Sequence, residues 1–294
     1  MVTRRKILVP VDFNERSIGM ALGYASEWAQ RFNMEIDLLH VIEDSGLFSK
    51  IFSGEDSEKL KEQIRQKLIE IADKTEKEYK VRVNAIVTQG RISPKINDVA
   101  ELLNSDIIIM SSGNTYNKNE EDPVIGANTH RVVRVTDTPV LIVRHPDSPK
   151  KLTNLLVPMD LTTNSRTKIP YVVDIAKRAN AKVTLISGTW SDIGADMIKK
   201  QNIIVNQAVE FVKNSGIDCD LYTIPHGKSS KDYITGIADY AKQNDMDLIV
   251  VVGRAESVTE RFIDNTAQDL IRLSPIPVLC VAPKNIGVNV AGRI

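Results

Sequence analysis

Two aspartates stand in the same local setting in the two halves of the chain. Asp12 ends the apolar segment Lys-Ile-Leu-Val-Pro-Val that begins at residue 6, and Asp160 ends Asn-Leu-Leu-Val-Pro-Met, which begins at residue 154. A carboxylate at the end of a strand can contact a ligand, because ligand crevices lie beyond the carboxyl ends of parallel strands. It can also accept backbone amides from the turn that follows. For Asp12 both interpretations stand.

A second set of residues that could bind a ligand surrounds a loop in the first half. Gly113 opens this loop and Gly126 closes it just before a predicted helix, while Ser111 and Ser112 end the strand before it. Glycines let backbone amides approach phosphate oxygens, and a helix N-terminus favours their negative charge. The pattern is therefore typical of a phosphate-binding loop.

The other reactive residue types form no catalytic or metal-binding set in the sequence. Cys219 and Cys280 lie in predicted strands without a CxxC spacing, so we expect reduced, buried thiols. The four histidines share no ligand spacing, and His40, inside an apolar strand, is expected to be a satisfied core residue. No Walker lysine follows a glycine loop and no nucleophile-elbow serine is present. The sequence therefore predicts a protein that is not an enzyme and holds no metal.

Length and composition set the broad class. The chain has 294 residues, about twice the usual size of a domain, with 38 Lys plus Arg against 38 Asp plus Glu. Such a balance gives no field that would draw the molecule to nucleic acid or to an anionic membrane. No apolar run approaches the ~20 residues that span a bilayer, so we expect a cytoplasmic protein without nucleic-acid or membrane partners.

Further landmarks repeat in the same order in both halves. Gly90 corresponds to Gly227, and the closing segment Pro-Val-Leu-Ile-Val at 139–143 corresponds to Pro-Val-Leu-Cys-Val at 277–281. A repeat of this length indicates duplicated domains. We predict domains at 1–147 and 151–285 and a tail at 286–294, with the two-proline stretch 145–151 as the linker.

Within each half, short continuous apolar runs alternate with segments whose apolar residues recur every three or four positions. This alternation is typical of βα units around a parallel sheet. One helical stripe is Ile18, Leu22, Ala25, Ala29 and Phe32, and another is Leu60, Ile64, Leu68 and Ile71. The predicted strands are 5–11, 35–42, 81–88, 106–112, 139–144, 153–159, 182–187, 217–224, 247–252 and 277–282. Right-handed crossovers would place helices on both faces of each sheet.

The paired Val-Pro-x-Asp strands, the βα repetition and the closing Pro-Val-Leu-x-Val strand resemble universal stress proteins in tandem form. The resemblance covers about 3–145 and 152–283. It implies an α/β fold of two open-twisted sheets, each with five parallel strands in the order 3-2-1-4-5 and helices on both faces, similar to adenine nucleotide alpha hydrolases.

In nucleotide-binding members of this family, the aspartate lies against adenine and ribose and the glycine loop holds the phosphates. The resemblance thus implies ATP or another adenine nucleotide as the ligand of the first domain. The implied site residues are Pro10, Val11, Asp12, Val41, Ser111, Ser112, Gly113, Gly126, Ala127 and Asn128.

This sequence departs from the family's loop pattern in both halves. In the first, Tyr116 replaces a glycine, Ala127 replaces a hydroxyl residue, and the acidic stretch 120–122 disfavours a triphosphate. In the second, Glu256 and Asp264 stand where glycines are needed, and Asp264 suits a helix N-cap. We therefore expect any nucleotide in the first domain and interpret Asp160 as a turn residue.

The resemblance implies a stress-response regulator or ligand-binding scaffold with a weakened adenine-nucleotide site. One alternative is an interaction module that binds no nucleotide. Another is a nucleotide-dependent enzyme on the same fold, which would need a glycine- and serine-rich loop after strand 1, where 12–16 reads Asp-Phe-Asn-Glu-Arg.

The expected partner of each domain is the other domain. Each closing strand is an outer strand in the implied order, and the resemblance implies that the two pair within the chain. A homodimer and an unidentified protein partner are left open. The apolar stretch 45–54 is predicted to be a flap or contact site, with packing onto its own domain as the alternative.

Overall fold

The computed structural model describes residues 5–43, 55–113, 125–145, 151–159, 163–190, 194–227, 229–253 and 265–283. The chain divides into two compact units, Met1–Pro146 and Asp147–Ile294. The stretch 45–54 and the tail 286–294 lie outside the described residues. Within the described residues, no helix is both long and apolar enough to cross a bilayer.

The first unit alternates strands and helices from end to end. Its elements are β1 (Arg5–Pro10), α1 (Glu15–Phe32), β2 (Met34–Glu43), α2 (Glu55–Tyr79), β3 (Val83–Gly90), α3 (Ile92–Leu102), β4 (Ile107–Ser111), α4 (Ala127–Val135) and β5 (Val140–Val143). β1 pairs in parallel with β2 on one side and β4 on the other, β3 pairs with β2, and β5 pairs with β4. The order reverses between β1 and β4, so their carboxyl ends open a crevice.

The second unit repeats this arrangement. Its elements are β6 (Asn154–Pro158), a 3₁₀ segment (Thr163–Lys168), α5 (Ile169–Ala179), β7 (Lys182–Trp190), α6 (Ala195–Asn214), β8 (Cys219–Gly227), α7 (Ser230–Gln243), β9 (Leu248–Val252), α8 (Asn265–Leu273) and β10 (Val278–Val281). β6 lies between β7 and β9, and all described pairs are parallel. The predicted α/β fold class is confirmed.

The helices cover the sheet largely with the predicted faces. In α1, Leu22, Ala25 and Ala29 are buried, whereas Ile18 and Phe32, at the ends of the stripe, are only half-buried. In α2, Leu68 is buried together with Ala72 and Thr75, while Leu60, Ile64 and Ile71 flank them. The charged residues predicted for the outer side of this helix are exposed: Glu70, Asp73, Lys74 and Lys77.

Several strand ends differ from the predicted ones, for local backbone reasons. Lys80 has a left-handed backbone conformation, with φ 54°, which turns the chain after α2. β3 therefore begins only at Val83. β7 continues past the predicted end at 187 because Gly188 fits against the ring of Tyr233, where a Cβ would lie 2.7 Å from a ring carbon.

The cysteines are buried and unbridged, as predicted. Burial raises the pKa of the Cys219 thiol to about 11 and that of Cys280 to about 12. Both remain protonated at neutral pH, which leaves them without the thiolate that redox or metal chemistry requires.

Candidate functional site

The turn after β1 places Asp12 at the mouth of the crevice. Asp12 is exposed, and its Oδ1 accepts a hydrogen bond from the backbone amide of Asn14 at 3.1 Å. The N-cap of α1 is Asn14, whose Oδ1 accepts from the amide of Ser17 at 3.0 Å. Asp12 therefore takes part in the turn but does not cap the helix, and its carboxylate stays at the rim.

The two glycines of the loop after β4 contact each other. Gly113 has φ 104°, and a Cβ there would lie 2.9 Å from the Cα of Gly126. The amide of Gly126 donates to Ser112 O at 2.7 Å, and Thr129 Oγ1 donates to Ser111 O at 3.1 Å. The end of β4 is thus joined directly to the start of α4. The lack of side chains at Gly113 and Gly126 allows the two backbone segments to approach each other this closely.

The N-terminus of α4 faces the same region. Its N-cap is Gly126, which offers no side-chain acceptor, and the first turn contains no acidic residue. The amides of an uncapped first turn need acceptors from elsewhere, and an anion can supply them.

These segments enclose a cavity of about 320 Å³ in the first unit. All predicted site residues line it except Ser112. The backbone amide of Ser112 instead donates to Val143 O at 3.0 Å. The other lining residues are Ser17, Ile18, Leu39, His40, Ile92, Ile96, Met110 and Thr129. The apolar side chains from α3 and β4 were not predicted to face the site because their contribution depends on how α3 packs across the crevice.

His40 differs from its predicted role. It is half-buried and lines the cavity, and its Nδ1 lies 2.9 Å from Val11 O, so it is hydrogen-bonded but is not a core residue. The ring of Phe13 packs at 4.3 Å, centroid to centroid. Burial lowers the pKa of His40, while the hydrogen bond to Val11 and the charge of Asp12 oppose that change. Its position near the carboxyl end of a strand next to β1 was a weak signal in the sequence, and the apolar neighbours of His40 in β2 outweighed it.

In the second unit, two buried side chains lie at the carboxyl ends of β6 and β7. Met159 follows Pro158 as Val11 follows Pro10, and its carbonyl oxygen accepts from Gln201 Nε2 at 3.0 Å. The hydroxyl of Tyr233 lies 3.3 Å from Met159 O and 3.2 Å from Ile186 O. Gln201 and Tyr233 are each 3% exposed.

Tyr233 corresponds in sequence position to a cavity residue of the first unit. It stands at the same distance along the chain from Gly227 as the cavity residue Ile96 does from Gly90. A larger side chain with a hydroxyl thus lies at the carboxyl ends of β6 and β7. Asp160, Glu256 and Asp264 lie outside the described residues. Among the residues that the structure describes, no group of three or more His, Cys, Asp or Glu could hold a metal ion.

The model of the universal stress protein family matches residues 3–144 and 225–282. This chain belongs to that family. A universal stress protein of Methanocaldococcus jannaschii is 29% identical over 164 residues, which cover 50% of this chain and 99% of that protein. The predicted family membership is confirmed, and the two matched regions fall one in each unit.

One solved structure of the family shows the same fold over nearly the whole chain. The crystal structure of a universal stress protein from Archaeoglobus fulgidus has a TM-score of 0.73 at 20% identity and covers 95% of this chain and 98% of its own. Another universal stress protein, solved in complex with cAMP, is 18% identical with a TM-score of 0.36 and covers 46% of this chain and 99% of its own. Its ligand is a property of that protein.

Proposed function

We propose that the first unit binds an adenine nucleotide and that the chain acts as a ligand-responsive member of its family. The observation that carries this proposal is the cavity at the carboxyl ends of β1 and β4, lined by Asp12 and by the contacting glycines Gly113 and Gly126. Its volume of about 320 Å³ is at the lower end of the range of small-molecule sites.

The inner part of the cavity suits a flat apolar base. Leu39 and Ile96 are 0% and 1% exposed, and Met110 is buried beside them. Asp12 lies at the rim, where its carboxylate can accept hydrogen bonds from ribose hydroxyls. An apolar interior with a few polar groups at its edge is the usual composition of a small-molecule site.

The glycine end of the cavity suits an anion. The helix α4 begins directly after Gly126, and its first turn has neither a side-chain cap nor an acidic residue. The positive end of the helix dipole favours a phosphate there.

We further propose one nucleotide site per chain. In the second unit, Gln201 and Tyr233 occupy the region that corresponds to the cavity, and their polar atoms already bond to Met159 O. A ligand would have to displace two buried side chains and break these hydrogen bonds, which is costly.

We propose binding without turnover, because the cavity combines apolar side chains with a few polar groups, as ligand-binding sites do. We therefore propose a regulatory or scaffold role in the stress response, consistent with the family. An interaction module without a ligand is the rival that the following experiment separates.

Equilibrium binding of ATP and AMP to the wild type, to Asp12→Ala and to Asp160→Ala tests this proposal. Asp12→Ala should weaken binding severalfold, because one hydrogen bond contributes about 0.5–1.5 kcal/mol. Asp160→Ala is the matched control, with the same substitution in the other copy, and should bind as the wild type does. Loss through Asp160→Ala alone would overturn the assignment, and a wild type that binds neither nucleotide would favour the ligand-free module.

A further inference from the structure

We propose that His40 reads the base of the bound nucleotide: its Nε2 accepts a hydrogen bond from an amino group, so the site selects an amino-substituted purine over its oxo counterpart. This inference rests on the proposed nucleotide site and adds the residue that determines its specificity. It depends on the position of the imidazole in the cavity wall and on the bond that fixes its tautomer.

The hydrogen bond to Val11 determines which ring nitrogen carries the proton. Nδ1 of His40 lies 2.9 Å from Val11 O, and a carbonyl oxygen can only accept. Nδ1 therefore donates. In the neutral ring the proton is then absent from Nε2, which is left as an acceptor.

The ring is held in place before any ligand arrives. The Phe13 ring packs against it at 4.3 Å, and Lys67 Nζ lies 5.0 Å from the centroid of the Phe13 ring. Phe13 has φ 61°, a conformation that the short turn after Asp12 imposes on it. A fixed acceptor discriminates between ligands at a lower entropic cost than a mobile one.

The other polar groups of the cavity do not provide the same selection. Ser17, Ser111 and Thr129 carry hydroxyls and Asn128 carries a carboxamide, and both kinds of group can donate as well as accept. Asp12 is also an acceptor, but it lies at the exposed rim. Among these side chains, only His40 Nε2 and Asp12 thus act purely as acceptors, and His40→Asn separates the two because it leaves Asp12 in place.

Acid should reverse the role of His40. Protonation places a hydrogen on Nε2 and turns it into a donor, which suits the oxo group of hypoxanthine instead of the amino group of adenine. Burial lowers the pKa of His40, so the acceptor form dominates at neutral pH. The charged groups near the ring are Asp12, whose charge favours protonation, and Lys67 on α2, beyond Phe13.

The experiment is competitive binding of AMP and IMP from about pH 8 down to about pH 5, across the ordinary histidine range. The phosphate is the same in both ligands, so its titration cancels from the ratio of their dissociation constants. The wild type should prefer AMP about tenfold at the alkaline end, with the preference falling as the pH falls. His145→Gln, a histidine outside the cavity lining, should leave the ratio and its pH dependence unchanged.

His40→Asn separates recognition from support. Its side-chain amide can still donate to Val11 O, but it has no group at the position of Nε2, so the ratio should fall toward one and become independent of pH. A wild-type ratio that does not change with pH, or a wild-type ratio in His40→Asn, would overturn the assignment while leaving nucleotide binding intact. Failure of the wild type to bind either nucleotide would remove both the inference and the proposed function.

Discussion

Val11 connects the residues on which the site depends. Its amide donates to Leu39 O at 2.8 Å and its carbonyl accepts from His40 Nδ1, so the end of β1 is tied both to the backbone of β2 and to a side chain of β2. Asp12 follows immediately. A change at His40 is therefore expected to affect both the ligand and the turn that carries Asp12.

The first prediction concerns His40 and pH. Burial lowers its pKa in the folded chain, so the unfolded chain binds the proton more strongly. The stability that neutral His40 contributes is fully present above the unfolded pKa of about 6.5 and is lost as the pH falls below it. His40→Gln does not titrate, so its free energy of unfolding should fall less steeply than that of the wild type between about pH 7.5 and pH 5. Urea denaturation measures both, and parallel curves would contradict the prediction.

For single residues, prediction from the sequence failed where the neighbouring residues along the chain indicated a different environment. Asp12, Gly113 and Gly126 could be predicted to lie at the crevice, because a carboxylate at a strand end and glycines around a loop are residue types that ligand sites use. His40 could not, because its apolar neighbours in β2 resemble a core strand. Whether its ring faces the core or the crevice depends on the hydrogen bond to Val11, which forms only once β1 and β2 are paired.

At the scale of elements, the junction between β4 and α4 shapes the anion end of the site. Two backbone segments meet without side chains between them, and hydrogen bonds from Gly126 N and Thr129 Oγ1 hold them together. The order of strand, loop and helix was predictable. The contact between the glycines was not, because the loop between them separates them in sequence.

A second prediction tests this junction with two matched substitutions. Gly113→Ala should destabilise the first unit by about 1–3 kcal/mol, because the residue has φ 104° and its Cβ would meet backbone at 2.9 Å. Gly126→Ala should cost less, since its φ of −57° suits alanine and the nearest atom is at 3.1 Å. Chemical denaturation of both variants gives the comparison. Equal costs would show that the glycine contact does not constrain the loop.

A third prediction concerns Tyr233 in the second unit. Tyr233→Phe should lower the free energy of unfolding by about 1 kcal/mol, because it removes the hydroxyl that lies near Met159 O and Ile186 O. Tyr240→Phe is the control. Tyr240 is half-buried and stacks on Tyr222 at 4.4 Å, and phenylalanine preserves that stack, so its cost should stay within about 0.5 kcal/mol. If Tyr233→Phe were as mild as the control, the hydroxyl would not stabilise the second unit.

At the scale of the whole molecule, duplication is the dominant feature. Each unit repeats the same parallel pairing, in which β5 pairs with β4 and β10 pairs with β9. The repeated landmarks made this duplication visible in the sequence. They did not reveal that Gln201 and Tyr233 bond to Met159 O in the second copy, because that depends on how these side chains pack after folding.

A fourth prediction concerns the closing strand of each unit. Ile142 in β5 and Leu279 in β10 are each 1% exposed, so a charge at either position would be buried without a partner. Ile142→Glu and Leu279→Glu should each strongly destabilise the unit that carries the substitution, as measured by chemical denaturation. Leu102→Glu, at a position that is 79% exposed, is the control and should change the free energy of unfolding by no more than about 0.5 kcal/mol. Costs equal to that of the control would contradict the prediction.

The most direct test of the central claim is hydrogen–deuterium exchange of the full chain with and without saturating AMP. An adenine nucleotide in the first unit should slow exchange of amides at the end of β1, the end of β2 and the first turn of α4, with no change at the carboxyl ends of β6 and β7. Protection confined to the second unit, or no protection anywhere in the first, would contradict the assignment of the nucleotide site to the crevice beside Asp12.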